Sequence, residues 1–87
     1  MFIVVNHSIS DPENFWKKAM ENAPLLPSSN VQRVIQSLPN ANMTASVCLW
    51  EADSIDALDG YLRGIMGDIS SETYYEVNTA NAMGLPA

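Results

Sequence analysis

The sequence predicts an α+β fold in the order β-α-β-β-α-β, with four strands in one antiparallel sheet and both helices on one of its faces. Three observations predict it. Four short segments are rich in β-branched and aromatic residues, two longer segments repeat apolar residues at helical spacing, and clusters of Pro, Gly, Asn and Ser separate them. Right-handed crossovers then place the strands in the spatial order 4-1-3-2. At 87 residues the chain is predicted to be one domain, with a core over residues 1–78 and a short tail over residues 79–87.

The first strand is predicted over residues 1–9, which carry no helical period and stop before a helix-start signal. Two starts for the first helix are open. Ser10 and Glu13 have the spacing of a capping box, and Asp11 followed by Pro12 is an alternative cap one residue later. The apolar residues at helical spacing fall on one side of this helix: Phe15, Trp16, Ala19, Met20 and Ala23.

Two strands and a hairpin turn follow the first helix. Prolines and small polar residues over residues 24–30 predict a loop, and residues 31–38 then have strand character. Residues 39–42 suit a hairpin turn, and the third strand is predicted over residues 43–50. This stretch therefore supplies the second and third strands, joined by a hairpin turn.

The second helix is predicted from its cap and its apolar stripe. Asp53 or Ser54 can cap it, and either residues 67–68 or residues 70–71 can end it. Residues 73–78 are rich in the aromatic and β-branched residues typical of strands and are predicted to form the fourth strand. Thr79 could cap one short turn beyond it. The stripe that packs on the sheet consists of Ile55, Leu58, Leu62, Ile65 and Ile69.

Strand alternation predicts which residues face the helices, because the side-chain period of a strand is two. The odd-numbered residues of the first and third strands are more continuously apolar and are placed under the helices. The set is Ile3, Val5, His7, Ile9, Met43, Ala45, Val47, Leu49 and Glu51. The even-numbered set is then left on an open face: Phe2, Val4, Thr44, Ser46, Cys48 and Trp50. Such a face is too apolar for a soluble monomer, so a homodimer is predicted, the alternative being that the face stays open.

Composition excludes several classes of function. Ten acidic residues against four basic ones leave a net charge of -6, the wrong sign for a nucleic-acid partner. No apolar run is long enough to span a membrane and no export signal precedes the first strand, so we expect no membrane partner and a cytoplasmic location. Cys48 is the single cysteine, which excludes an internal disulfide and fits a reducing compartment.

The element order over residues 1–78, with a short tail, resembles the ferredoxin-like dimeric α+β barrel superfamily. Three segments are similar to one small uncharacterised group within it: residues 7–16 (HSISDPENFW), residues 48–54 (CLWEADS), and residues 74–77 with 82–86 (YYEV and AMGLP). The superfamily includes cofactor-independent monooxygenases, muconolactone-type isomerases and haem-degrading enzymes. The resemblance implies a dimeric barrel, and it assigns no catalytic residue because no motif of the characterised members matches here.

His7 and Glu51 are the candidate catalytic residues. With the first and third strands taken as parallel neighbours, both residues lie at the same edge of the sheet and on the same side of it. They would form a histidine-carboxylate pair suited to proton transfer, the alternative being a histidine with no catalytic duty. Cys48 as a nucleophile is disfavoured, because alternation places its side chain on the opposite face from His7. No spacing of ligands suits zinc, so no metal or other cofactor is expected, although a surface or intersubunit site using His7, Glu51 or Glu72 stays open.

A small-molecule cavity is the remaining functional prediction. Trp50 and Tyr75 would form its wall, and Gly60 and Gly64 would give the second helix a smooth side for a ligand or partner, unless the helix frays after Gly64. The sequence thus predicts a small dimeric protein that binds a small organic molecule. One alternative is a cofactor-independent monooxygenase or isomerase with His7 as proton shuttle, and another is a non-enzymatic assembly module.

Overall fold

The structure is a computed structural model that describes residues 1–28 and 30–86. Ser29, in the predicted loop, and Ala87, at the end of the predicted tail, lie outside the described residues. The elements follow the predicted order, with a short 3-10 turn over Ala23–Leu25 after the first helix. They are β1 (Phe2–Ile9), α1 (Pro12–Asn22), β2 (Val31–Pro39), β3 (Ala45–Ala52), α2 (Ile55–Met66) and β4 (Ser70–Glu76).

The four strands form one antiparallel sheet in the order β2-β3-β1-β4, which is the predicted order. The buried side chains of both helices pack on one face of this sheet, so the predicted ferredoxin-like arrangement is confirmed. Neither described helix has the length and apolar character needed to cross a membrane.

The helix α1 begins at the second of its two predicted caps. The Asp11 carboxylate accepts a hydrogen bond from the backbone N–H of Asn14 at 3.3 Å, and Pro12 takes the first helical position. The Ser10 hydroxyl does not cap the helix, because it donates to the carbonyl of Ile69 at 2.9 Å. Ser10 thereby ties the start of α1 to the start of β4.

The helix α2 begins at Ser54, whose hydroxyl accepts from the backbone N–H of Ala57 at 3.0 Å. It ends at Gly67, whose φ of 59° together with a ψ of -122° favours a residue without a Cβ. The alternative end at Ser70 and Ser71 is wrong, because these residues open β4, three residues earlier than predicted. The predicted turn after Thr79 is closed by hydrogen bonds to the Asn78 carbonyl.

The predicted faces of β3 are wrong. Cys48 and Trp50 are buried under the helices, whereas Val47 is 43% exposed on the opposite face. The cause is the pairing with β1: Ile3 lies opposite Trp50 and Val5 lies opposite Cys48. Directly opposed residues share a face of an antiparallel sheet, so the buried side of β1 determines the buried side of β3.

The open face of the sheet remains apolar, but its members change. Val4 stays on it as predicted, and Cys48 and Trp50 leave it, replaced by residues of β2, β3, β4 and the tail. A groove of about 400 Å³ runs between this face and the tail. Its exposed large apolar side chains are Leu38, Val47, Tyr75 and Met83.

Candidate functional site

A cavity of about 170 Å³ lies between the two helices and the sheet. Aromatic and aliphatic side chains form nearly all of its wall, and the residues come from both helices and from β1, β2 and β3. They are His7, Phe15, Trp16, Ala19, Met20, Asn22, Ala23, Val34, Ser37, Cys48, Trp50, Tyr61, Leu62, Ile65 and Met66. The exposed residues Met20, Ala23 and Ser37 mark where it reaches the surface. The cavity therefore offers an apolar interior with an entrance beside the end of α1.

His7 is held in this wall by a buried carboxylate. Its Nδ1 lies 2.8 Å from Oε2 of Glu72, and both side chains are 1% exposed. The two residues oppose each other across β1 and β4, so the sheet register itself brings them together. Glu72 also accepts a hydrogen bond from the Ser70 hydroxyl at 2.6 Å and is paired with the Arg63 guanidinium.

The contacts of Glu72 determine which nitrogen of His7 carries the proton. A carboxylate only accepts hydrogen bonds, so Nδ1 must donate, and in a neutral ring Nε2 keeps its lone pair. Nε2 is buried and has no hydrogen-bond partner among the described residues. Phe15 packs edge-on against the imidazole with the ring centroids 5.2 Å apart. His7 is therefore an oriented imidazole that lines an apolar cavity and has one buried nitrogen without a partner among the described residues.

Glu51 is not the partner of His7, and the predicted pair is wrong. Because β1 and β3 are antiparallel, Glu51 lies opposite Phe2 at the other end of β1. Its carboxylate accepts from Nε of Arg33 at 2.8 Å in a partly exposed ion pair. The sequence analysis missed the true partner because it began the fourth strand at residue 73, beyond Glu72.

Cys48 lies on the same face as His7, contrary to the prediction. Its Sγ is 3.4 Å from the Ser46 hydroxyl and 3.5 Å from the Ser37 hydroxyl. Burial by itself raises the pKa of the Cys48 thiol, but hydrogen bonding and charge from His7, together with both hydroxyls, outweigh it and lower the pKa. The His7 imidazole and the thiol line the same cavity, and Nε2 makes no well-formed hydrogen bond to the thiol.

A shift in the β2 register explains why Ser37 reaches the thiol. Val34 lies opposite Trp50 and Ser37 lies opposite Cys48, with irregularities on both sides of Arg33 and Val34. The extra residue between Val34 and Ser37 reverses the alternation of side chains along β2. Val34 and Ser37, three residues apart, therefore line the same cavity.

Trp50 is the predicted ligand-binding residue that the structure brings to the cavity. It packs edge-on against Tyr61, with ring centroids 6.0 Å apart, and its indole Nε1 is buried without a partner among the described residues. Burial raises the pKa of Tyr61, which keeps its hydroxyl neutral.

Three other predicted binding residues lie elsewhere. Tyr75 is on the open face of the sheet, because it opposes Val4. Gly60 and Gly64 are on the exposed side of α2, where an added Cβ would meet no described atom within 4 Å. None of the three lines the cavity. Over residues 1–28 and 30–86, no three His, Cys, Asp or Glu side chains come together as a metal site.

Comparison with known proteins supports the fold. No protein-family model matches the chain, and no curated protein matches it. Among solved structures, the chain is similar to a Deinococcus radiodurans protein described provisionally as an antibiotic biosynthesis monooxygenase. The two share 12% sequence identity with a TM-score of 0.57, and the match covers 100% of each chain. At this identity the likeness shows a shared fold, the ferredoxin-like α+β fold, and nothing beyond it.

Proposed function

We propose that the protein binds a small, neutral organic molecule in the cavity between its helices and sheet. The carrying observation is that His7 and Trp50, which line this mostly apolar cavity, each have a buried ring nitrogen, Nε2 and Nε1, with no partner among the described residues. Buried polar atoms are nearly always hydrogen-bonded, since leaving one unpaired costs about 1–3 kcal/mol. A ligand with one donor for His7 and one acceptor for Trp50 satisfies both.

The dimensions and charge of the cavity narrow the ligand class. A dry protein cavity of about 150 Å³ is known to hold one benzene molecule, and the present cavity, at about 170 Å³, is similar. No Lys or Arg side chain among residues 1–28 and 30–86 lines it, so an anionic ligand would find no lysine or arginine counter-charge. The best match is a one-ring or similarly small molecule with a hydroxyl or carbonyl group.

Binding of phenol and toluene to the wild type and to Trp50→Phe tests this function. Phenol should raise the melting temperature of the wild type more than toluene does, because only phenol can hydrogen-bond to the cavity nitrogens. Trp50→Phe should weaken phenol binding about 5-fold, the equivalent of one neutral hydrogen bond, and should leave toluene binding nearly unchanged.

Trp16→Phe is the matched control. Its indole also lines the cavity, but its Nε1 already donates to the Met43 carbonyl at 3.1 Å, so phenol should not depend on it. If no neutral one-ring compound shifts the melting temperature at millimolar concentration, the proposed binding function is wrong.

A proton-transfer enzyme is the second candidate function, with His7 as proton shuttle in an isomerisation or a cofactor-independent oxygenation. The observation that favours it is the buried Glu72–His7 pair with a free Nε2, since a carboxylate orients such an imidazole and stabilises its protonated form. The similar Deinococcus protein carries a monooxygenase description, which agrees with this candidate but does not extend to this chain. A proton-transfer enzyme should exchange an acidic C–H of a bound ligand with solvent deuterium, and this exchange should depend on Glu72. A protein that only binds the ligand should not catalyse the exchange.

We further infer that a second copy of the chain covers the open face of the sheet. Leu38, Val47, Tyr75 and Met83 expose large apolar side chains there, and exposed patches of this kind mark association surfaces. Two equivalent sheets meeting face to face form a twofold interface, as the sequence analysis predicts. Assembly without any chemistry stays the remaining alternative, and in that case the cavity would bind nothing.

A further inference from the structure

We propose that Cys48 is a nucleophile that forms a reversible covalent adduct with a small α,β-unsaturated carbonyl compound, with His7 moving the proton. This inference rests on the proposed binding of a small molecule in the cavity, and it names the substrate class. Cys48 and His7 both line that cavity and are buried in it. The free Nε2 of His7 is the second, independent feature that points to a ligand.

The sheet register places the thiol beside the imidazole. Cys48 lies opposite Val5, and His7 lies opposite Ser46, so Cys48 and His7 are diagonal neighbours on the helix-facing side. Diagonal neighbours in an antiparallel pair are about 7–8 Å apart at the backbone, within reach of long side chains. Glu72 stands behind His7, which completes a row of thiol, imidazole and carboxylate.

The surroundings of Cys48 favour the thiolate. Among the described residues, the cavity wall contains one titratable group besides Cys48 and His7: Tyr61 of α2, whose pKa is raised by burial and which stays neutral. The part of α1 that lines the cavity contributes no titratable side chain, and Arg63 faces Glu72 rather than the thiol. The lowered pKa of Cys48 agrees with this arrangement, whereas a cysteine that only fills a core has its pKa raised.

The addition needs no oxidant or further reactant. Nε2 of His7 takes the thiol proton, and the sulfur lone pair forms a bond to the β-carbon of the ligand. The π electrons of the C=C bond move to the α-carbon as an enolate, which then takes the proton from the His7 imidazolium. The sum is addition of S–H across the double bond. The unpartnered Nε1–H of Trp50, two residues along the same face from Cys48, is a donor for the enolate oxygen.

Reversal of these steps releases the ligand. In an open-chain compound the former double bond is a single bond in the adduct, so rotation before elimination gives the other geometric isomer. The proposed activity is therefore cis-trans isomerisation of a small unsaturated carbonyl compound. This activity gives a role to the Cys48 thiol, which lines the cavity but has no role in the binding proposal.

Cyclohex-2-en-1-one is the probe for the adduct, because it is a one-ring, neutral compound of this class. Adduct formation is followed by intact mass, with N-acetylcysteine as a reference thiol and Cys48→Ser as the variant that should give no adduct. At about pH 6 the protein should react at least about threefold faster than the reference, because a thiol with a lowered pKa has more thiolate at this pH, although each thiolate is somewhat less nucleophilic. His7→Gln should remove most of this advantage at about pH 6 and little of it near pH 9.

If circular dichroism shows that His7→Gln does not fold, the pH dependence of the adduct rate in the wild type tests the proposal instead. A rate that rises tenfold per pH unit up to the ordinary thiol pKa of about 8.5 overturns the proposal, because the thiol is then unassisted. Phenol binding without any enone adduct also overturns it and leaves the binding function standing. Failure of both compounds removes the cavity function together with this inference.

Discussion

At the scale of single residues, Glu72, the observed partner of His7, and Glu51, its predicted partner, differ in burial and in their hydrogen-bond partners. Glu72 is almost fully buried and holds His7, Ser70 and Arg63, whereas Glu51 sits in a partly exposed pair with Arg33. A buried carboxylate with several donors loses much when its charge is removed, because the donors are left unpaired. An exposed ion pair contributes little. The two residues therefore form a natural pair of variants.

Glu72→Gln is expected to lower the free energy of unfolding by about 1.5–3 kcal/mol, the range for hydrogen bonds to a charged group. It should also slow deuterium exchange into a bound ligand, because the amide cannot stabilise the His7 imidazolium. Glu51→Gln, the matched control, should change stability by less than about 1 kcal/mol and leave exchange unaltered. Urea unfolding and mass spectrometry of the ligand measure the two effects, and equal results for both variants would exclude a role for Glu72 in proton transfer.

At the scale of elements, α2 has two unlike sides. Leu58, Leu62 and Met66 are buried against the sheet and α1, while Gly60 and Gly64 are exposed with no described atom near an added Cβ. The prediction that a ligand approaches this smooth side finds no contact within the described chain. These glycines therefore lower the stability of the helix without a compensating contact.

Gly60→Ala is expected to raise the free energy of unfolding by about 0.5–1 kcal/mol, because alanine costs less entropy in a helix. Gly67→Ala is the matched control and should destabilise the protein, since the Gly67 backbone, with a φ of 59° and a ψ of -122°, strains an alanine. Urea unfolding of both variants measures the difference. A loss of stability in Gly60→Ala would mean that something packs against this side of α2.

At the scale of the whole molecule, the sheet has one covered and one open face. The helices bury the first, and the second exposes Val47, Tyr75 and Leu38 beside the tail. Specific interfaces between proteins bury about 800 Å² per partner, which a four-stranded sheet can supply. A charge placed at the centre of such an interface opposes association because it is desolvated without a partner.

Val47→Asp is expected to convert the protein from two chains to one. Light scattering of the wild type at micromolar concentration should give about twice the mass of 9.5 kDa, and the variant should give the mass of one chain. Leu25→Asp is the control, because Leu25 is 68% exposed but lies on the turn after α1, away from the open face. A wild-type mass of one chain would contradict the proposed dimer.

The sequence by itself determined the order of elements, their approximate bounds and the buried side of β1. These properties are local: the Asp11 and Ser54 caps, the Gly67 stop and the helical period each depend on residues within one or two turns. The strand order also follows from connectivity alone, and the structure confirms it.

Tertiary structure alone decided the buried side of β3 and the partner of His7. Both sides of β3 carry apolar residues, Val47 with Leu49 and Cys48 with Trp50, so alternation cannot choose between them and only the pairing with β1 does. Glu72 is 65 residues from His7 and meets it through the register of β1 and β4. A one-residue change in strand register reverses every side chain, and no local pattern in the sequence specifies that register.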